Sequence, residues 1–221
     1  RDPIFLTAAT NIKKYLMTIL RGPDGAFFTS QDADVSETMP GKNYYAFTQT
    51  ERDALPAKPR IDQNIYAREN GWAIRGLVSY FAATGDSTTL DAAKPAAEWI
   101  LKNRKLVGGG FAHGESDRGG PFLGDTLSMG HAALDLYAAT GERKWLAVAS
   151  GAGDFITAKF QDSAGGFATS AQSEATSGVF AKPAKIPEEQ IQTARFANIL
   201  NRYTGAKKYR DLAEHAARYA L

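Results

Sequence analysis

The chain of 221 residues has no cysteine. That absence excludes a disulfide framework, a thiol nucleophile and any thiolate metal site within it. Its three histidines, His113, His131 and His215, are far apart and form no His-x-x-x-His spacing, so neither a metal site nor a cofactor is expected. Charge of one sign is also lacking. The formal net charge is +2, with basic residues scattered, which leaves no stripe for tracking phosphates and argues against nucleic acid as a partner. No apolar run approaches the ~20 residues that cross a bilayer, so a membrane is not expected either, and a soluble protein with the cytoplasm as default compartment is. The opening Arg1-Asp2-Pro3 carries no methionine, and a processed product or a piece of a longer protein is expected. No Walker sequence, dinucleotide fingerprint or nucleophile elbow occurs.

What is present is a recurrence. Segments 81–104, 137–160 and 202–221 share one plan, a helical pattern closed by Thr-Gly, a few polar residues, then a second helical pattern. The pairs Thr84-Gly85, Thr140-Gly141 and Thr204-Gly205 read as helix C-termini, because glycine just past a helix end adopts the left-handed capping conformation. Glycine-aromatic loops lie between the repeats and near the start, and Phe27, Phe111 and Phe167 read as plugs between successive hairpins. Thr84 and Phe111 are as far apart as Thr140 and Phe167. Apolar spacing makes the intervening segments helices, as in Ile74, Leu77, Val78 and Phe81 or Leu90, Ala93, Ala97 and Leu101. Pro95 is expected to kink the second of these or restart it after residue 94. One strand is expected, Tyr44-Tyr45-Ala46-Phe47-Thr48.

The expected architecture is therefore all-α, about seven helices in antiparallel hairpins forming part of a six-hairpin α/α toroid, with a short β excursion at 44–48, in a single domain over 1–221. About seven helices make an arc. Its apolar edges then call for a partner, a second copy or another domain.

Several landmarks occur in order: Gly25 to Asp34, Tyr44 to Thr48, Lys58-Pro59-Arg60-Ile61-Asp62, Glu69-Asn70-Gly71, Leu123-Gly124-Asp125 and Gly165-Gly166-Phe167. Together they resemble the YyaL-like, spermatogenesis-associated group of thioredoxin-domain proteins. The resemblance implies a longer protein, with a thioredoxin-like domain ahead of a six-hairpin barrel similar to those of glycosidases and sugar epimerases. This chain matches the later part of that barrel, so thiol-disulfide activity is not carried over. It departs from the group's pattern at Gln63, at Glu69, at Trp72 and at Pro187-Glu188-Glu189-Gln190.

Candidate site residues follow, each with a bland alternative. Asp32 and Asp34, on one side of an extended loop, are either an acid and base pair of the kind that cleaves glycosidic bonds at roughly 5–9 Å, or the makers of Asx turns. Glu69 joins them as a candidate catalytic carboxylate. Arg60, Asp62, Asn70 and Trp72 lie near the start of the strongest helix, where an indole stacks on a sugar ring and an amide bonds its hydroxyls. Their alternative is capping, ion pairing and core packing. Asp125 reads as a further binding residue or an N-cap. His113, Glu115 and Asp117 share one glycine-rich loop, either a proton shuttle or a solvated surface. The functional expectation is a domain that binds or processes a sugar-like small molecule by carboxylate acid/base chemistry. The competing expectation is a catalytically silent scaffold that docks a thioredoxin-like domain or a second subunit.

Overall fold

The computed structural model describes residues 2–116, 119–171 and 184–220. Among these residues there are nine α-helices and one small two-stranded ribbon. Helix α1 (Pro3–Tyr15) starts on Asp2, whose side chain accepts the N–H of Ile4, and runs into a π-helical turn at Leu16–Leu20. The ribbon pairs β1 (Ser30–Gln31) antiparallel with β2 (Ile61–Asp62), and between its strands lie two short helices, α2 (Gly41–Tyr44) and α3 (Gln49–Ala54). Three hairpins follow: α4 (Ala67–Thr84) with α5 (Ser87–Asn103), α6 (Leu123–Thr140) with α7 (Arg143–Phe160), and α8 (Pro187–Thr204) with α9 (Lys207–Ala220).

Helices α4, α6 and α8 pack side by side as an inner row, each with its hairpin partner outside it. This is an arc of an α/α toroid. The inner helices have 18 residues each and end alike. Gly85, Gly141 and Gly205 sit at φ +80, +69 and +67 as left-handed caps. Beside them the hydroxyls of Thr84, Thr140 and Thr204 donate to the carbonyl four residues back and accept the N–H two residues on, which stops the helix and starts the turn.

The plugs are equally regular. Phe27, Phe111 and Phe167 are fully buried, and each has its backbone held by the fourth residue of an inner helix. Asn70 accepts the N–H of Phe27 at 2.8 Å and donates to its carbonyl at 2.9 Å. Gln190 does both for Phe167 at 2.8 Å, and the Thr126 hydroxyl accepts the N–H of Phe111 at 3.2 Å. Asn70 thereby locks the first loop onto the inner row.

Three expectations are corrected. Residues 44–48 form no strand, because Tyr44 closes α2 and Thr48 opens α3 through a reciprocal capping box with Glu51. The helix count exceeds seven for the same reason. Pro95 neither ends nor restarts α5, which runs unbroken from Ser87 to Asn103. Pro95 and Asp91 both lie on the exposed face, where the carbonyl that the missing N–H leaves free is open to solvent and not stranded in the core.

Candidate functional site

Helices α4 and α6 approach closely where Gly71 faces Ser128, whose hydroxyl donates to the carbonyl of Arg68 at 2.8 Å. This contact aligns the first turns of the inner helices, and the third residue of each is a carboxylate: Glu69, Asp125 and Glu189. Helix N-termini favour negative charge there. The three carboxylates do not all cap their own helices, however. Asp125, only 1% exposed, accepts the N–H of Arg68 from the neighbouring helix at 3.0 Å and pairs with Nδ1 of His113 at 3.0 Å. The His113 ring stacks on Tyr66 at 4.2 Å and meets Phe122 edge-on. Glu69 uses Oε1 to pair with the guanidinium of Arg68, while its Oε2 is buried without a hydrogen-bond partner. Oε2 of Glu189 is likewise buried and unpartnered.

Two adjoining cavities open on this cluster. One, of about 320 Å3, is lined by His113, Phe122, Asp125, Thr169 and Glu189. The other, of about 280 Å3, is lined by Trp72, Arg75, Ser128, His131 and Gln192, and both share Arg68 and Glu189. Trp72 is 56% exposed, and its ring lies under the Arg68 guanidinium at 5.2 Å.

Burial raises the Asp125 carboxyl above its ordinary range, against the pull of its bond to His113. Burial likewise raises Glu189, with the charges of Asp125 and Glu188 adding to it, while the Thr169 hydroxyl and Arg68 oppose it. Burial raises Asp135 too, although Arg75 pairs with it at 3.0 Å. His131 is pushed down to about 4 by burial and then by the charges of Arg75 and Arg195, so at neutral pH it is uncharged. Its Nε2 is within 3.1 Å of the carbonyl of Gln192.

Of the residues singled out in the sequence, Glu69, Trp72 and Asp125 come together here, joined by His113. Asn70 is fully buried behind them and clamps Phe27. Asp32, Asp34, Arg60 and Asp62 gather instead on the β1–β2 ribbon. Asp32 and Asp34 are exposed. The N–H of Asp32 donates to the carbonyl of Arg60, its carboxylate accepts the N–H of Asp34, and Asp34 accepts the N–H of Gly41 at 2.6 Å. Asp62 accepts from the backbone and side chain of Asn64. The Asp32 and Asp62 side chains make Asx turns, and Asp34 holds the first N–H of α2. In the glycine-rich loop Glu115 is solvent-facing, and Asp117 lies outside the described residues. The sequence reading missed Arg68, Glu189 and Gln192. Aligning the repeats on their Thr-Gly ends would have found Glu189, since Glu69-Asn70, Asp125-Thr126 and Glu189-Gln190 then occupy one register.

No protein-family model matches the chain, and no curated protein sequence is similar to it. Solved structures are similar in fold. A family 76 glycoside hydrolase (mannosidase) from Bacteroides thetaiotaomicron VPI-5482 superposes with a TM-score of 0.61 at 20% identity, over 72% of this chain and 44% of that one. An inactive variant of an α-1,6-mannanase from a Salegentibacter species, in complex with α-1,6-mannotriose, gives 0.62 at 15% identity, over 96% of this chain and 69% of that one. A D-mannose isomerase gives 0.68 at 15% identity, over 97% of this chain and 51% of that one. The chain spans about half the length of the mannosidase and the isomerase. At these identities the likeness establishes the fold alone, an α/α toroid.

Proposed function

We propose that the cavities at the N-terminal ends of α4, α6 and α8 bind a sugar-like small molecule and process it by carboxylate acid/base chemistry. The observation that carries this reading is Glu189. It lines both cavities, burial raises its carboxyl, and its Oε2 has no protein partner. A carboxyl whose hold on its proton is strengthened by burial, beside an open cavity, is suited to deliver a proton to a glycosidic oxygen or a sugar carbonyl. Beside it the exposed indole of Trp72 offers a stacking face, and Arg68 and Gln192 offer hydrogen bonds to hydroxyls. Similar toroids include a mannosidase, a mannose isomerase and a mannanase solved with a mannose oligosaccharide, which makes mannose-type sugars the first ligands to try. The ordered landmarks of the YyaL-like group support placing the chain there, as the later part of that group's barrel.

The test is thermal shift against monosaccharides and short α-mannosides. A saturable rise in Tm that Trp72→Ala and Glu189→Gln both abolish supports the reading. Indifference of the wild-type chain to the whole panel removes it.

A second reading, a docking scaffold, is favoured by one separate observation. Helix α1 buries none of its residues, and an apolar groove of about 520 Å3 runs between it and α4, lined by Phe5, Leu6, Ile12 and Leu77.

A further inference from the structure

We propose that Glu69, His113 and Asp125 form a site for a divalent transition-metal ion of the Mn2+ or Zn2+ kind, at the wall of the cavity between α4 and α6. Each offers one ligand atom, and the three atoms lie within 4.8 Å of one another. They come from the first turn of α4, the loop before α6 and the first turn of α6, so no spacing in the sequence announces them. Two carboxylate oxygens and an imidazole nitrogen are a donor set that both Zn2+ and Mn2+ accept, whereas Mg2+ and Ca2+ favour oxygen alone. Nδ1 of His113 and Oδ1 of Asp125, 3.0 Å apart, have the separation of two neighbouring ligands on one ion held at about 2.1 Å.

The hydrogen bonding around the cluster leaves room for a cation. Oε2 of Glu69 is buried with no hydrogen-bond partner, and so is Oε2 of Glu189 on the adjoining cavity. Three carboxylates therefore crowd one region, and the guanidinium of Arg68 is bonded to one oxygen of one of them. Buried anionic oxygens left unpaired are costly, and a divalent ion removes that cost. The surroundings also hold the ligands in place, as outer-shell partners do in metal sites. The Arg68 N–H fixes Asp125, and the Tyr66 ring fixes His113 by stacking on it. Three protein ligands leave coordination positions open toward Thr169 and Glu189, where a water or a pair of sugar hydroxyls completes the shell. This last role rests on the sugar reading, while the ion site itself does not.

The experiment uses the full chain stripped with chelator and titrated with Mn2+, Zn2+, Mg2+ or Ca2+, followed by calorimetry, by thermal shift and by the Mn2+ paramagnetic resonance signal. Mn2+ or Zn2+ at a hundred times its Kd is expected to raise Tm by roughly 5–10 °C. Glu69→Gln, nearly isosteric and only partly buried, is expected to weaken binding at least tenfold without lowering the metal-free Tm, and His113→Ala to do the same. Absence of any shift or free-ion depletion with all four ions overturns the proposal, and so does binding that survives both variants. Repeating the sugar panel with and without the ion separates the two readings. An ion that binds while every sugar is ignored defeats the sugar reading alone, whereas sugar binding with no ion bound defeats the ion site alone.

Discussion

His131 is a buried, uncharged histidine of α6, set between Met129 and Ala132 in a mostly apolar stretch, and its environment fixes the sign of a pH effect. Its pKa falls from 6.5 to about 4 on folding because burial, Arg75 and Arg195 all disfavour the cation. Between those values the unfolded chain binds the extra proton, so the stability it contributes is complete above pH 6.5 and drains away as pH falls toward 4. Asp125, Asp135 and Glu189 act oppositely: their raised carboxyls take up protons in the folded state first, which favours folding as pH falls. The clean measurement is therefore a difference. Relative to His131→Gln, which keeps a donor for the Gln192 carbonyl, the wild type is expected to lose about 2–3 kcal/mol of unfolding free energy from pH 6.5 to 4. Parallel curves for the two proteins in urea titrations across that range would refute the assignment. At this scale Glu69, Trp72 and Asp125 were legible because they flank a helix start. Glu189 was not, because it drew notice only as a departure from the pattern of the resembling group. Its neighbours in space come from other repeats.

At the scale of elements, two contacts decide whether the inner row forms. A Cβ on Gly71 would stand 2.3 Å from Oγ of Ser128 and 2.8 Å from its carbonyl carbon. Gly71→Ala is expected to cost about 1–3 kcal/mol by forcing α4 from α6. Adding Ser128→Ala is expected not to restore stability, since the backbone carbon remains in the way; recovery to wild-type Tm in the double variant would show that the hydroxyl alone set the approach. The plug clamps give the second prediction. Asn70→Ala or Gln190→Ala strands a buried N–H and carbonyl at once, and each is expected to cost about 2–4 kcal/mol by chemical denaturation. A loss below about 1 kcal/mol in both would mean that water replaces the amide. The hairpins, their Thr-Gly ends and the plugs were readable from one chain because a repeat states the same local rule three times. The 44–48 segment was misread because clustered aromatic residues resemble a strand, while Thr48-x-x-Glu51, the stronger local signal, went unweighed. The ribbon of β1 and β2 joins strands of two residues, too short for alternation to register.

For the whole molecule the arc has an open side, and its chemistry is lopsided. Inner helix α6 is covered by α4 and α8 and buries 12 residues, among them Asp125 and His131. At the α1 end, by contrast, Ile4 is 69% and Phe5 74% exposed beside the groove against α4. Large apolar side chains clustered along one groove carry a hydrophobic cost that association relieves. The chain alone is therefore expected to self-associate through this edge, with an apparent mass that rises with concentration in light scattering. Phe5→Glu is expected to hold it monomeric, and since Phe5 is mostly in water already, the monomer's Tm should move by less than about 2 °C. Salt separates this from charge pairing: an apolar contact strengthens with added sulfate, whereas an ion-paired one weakens. A wild-type chain that stays monomeric at millimolar concentration, or a Phe5→Glu variant that associates as the wild type does, would take the scaffold reading's support away.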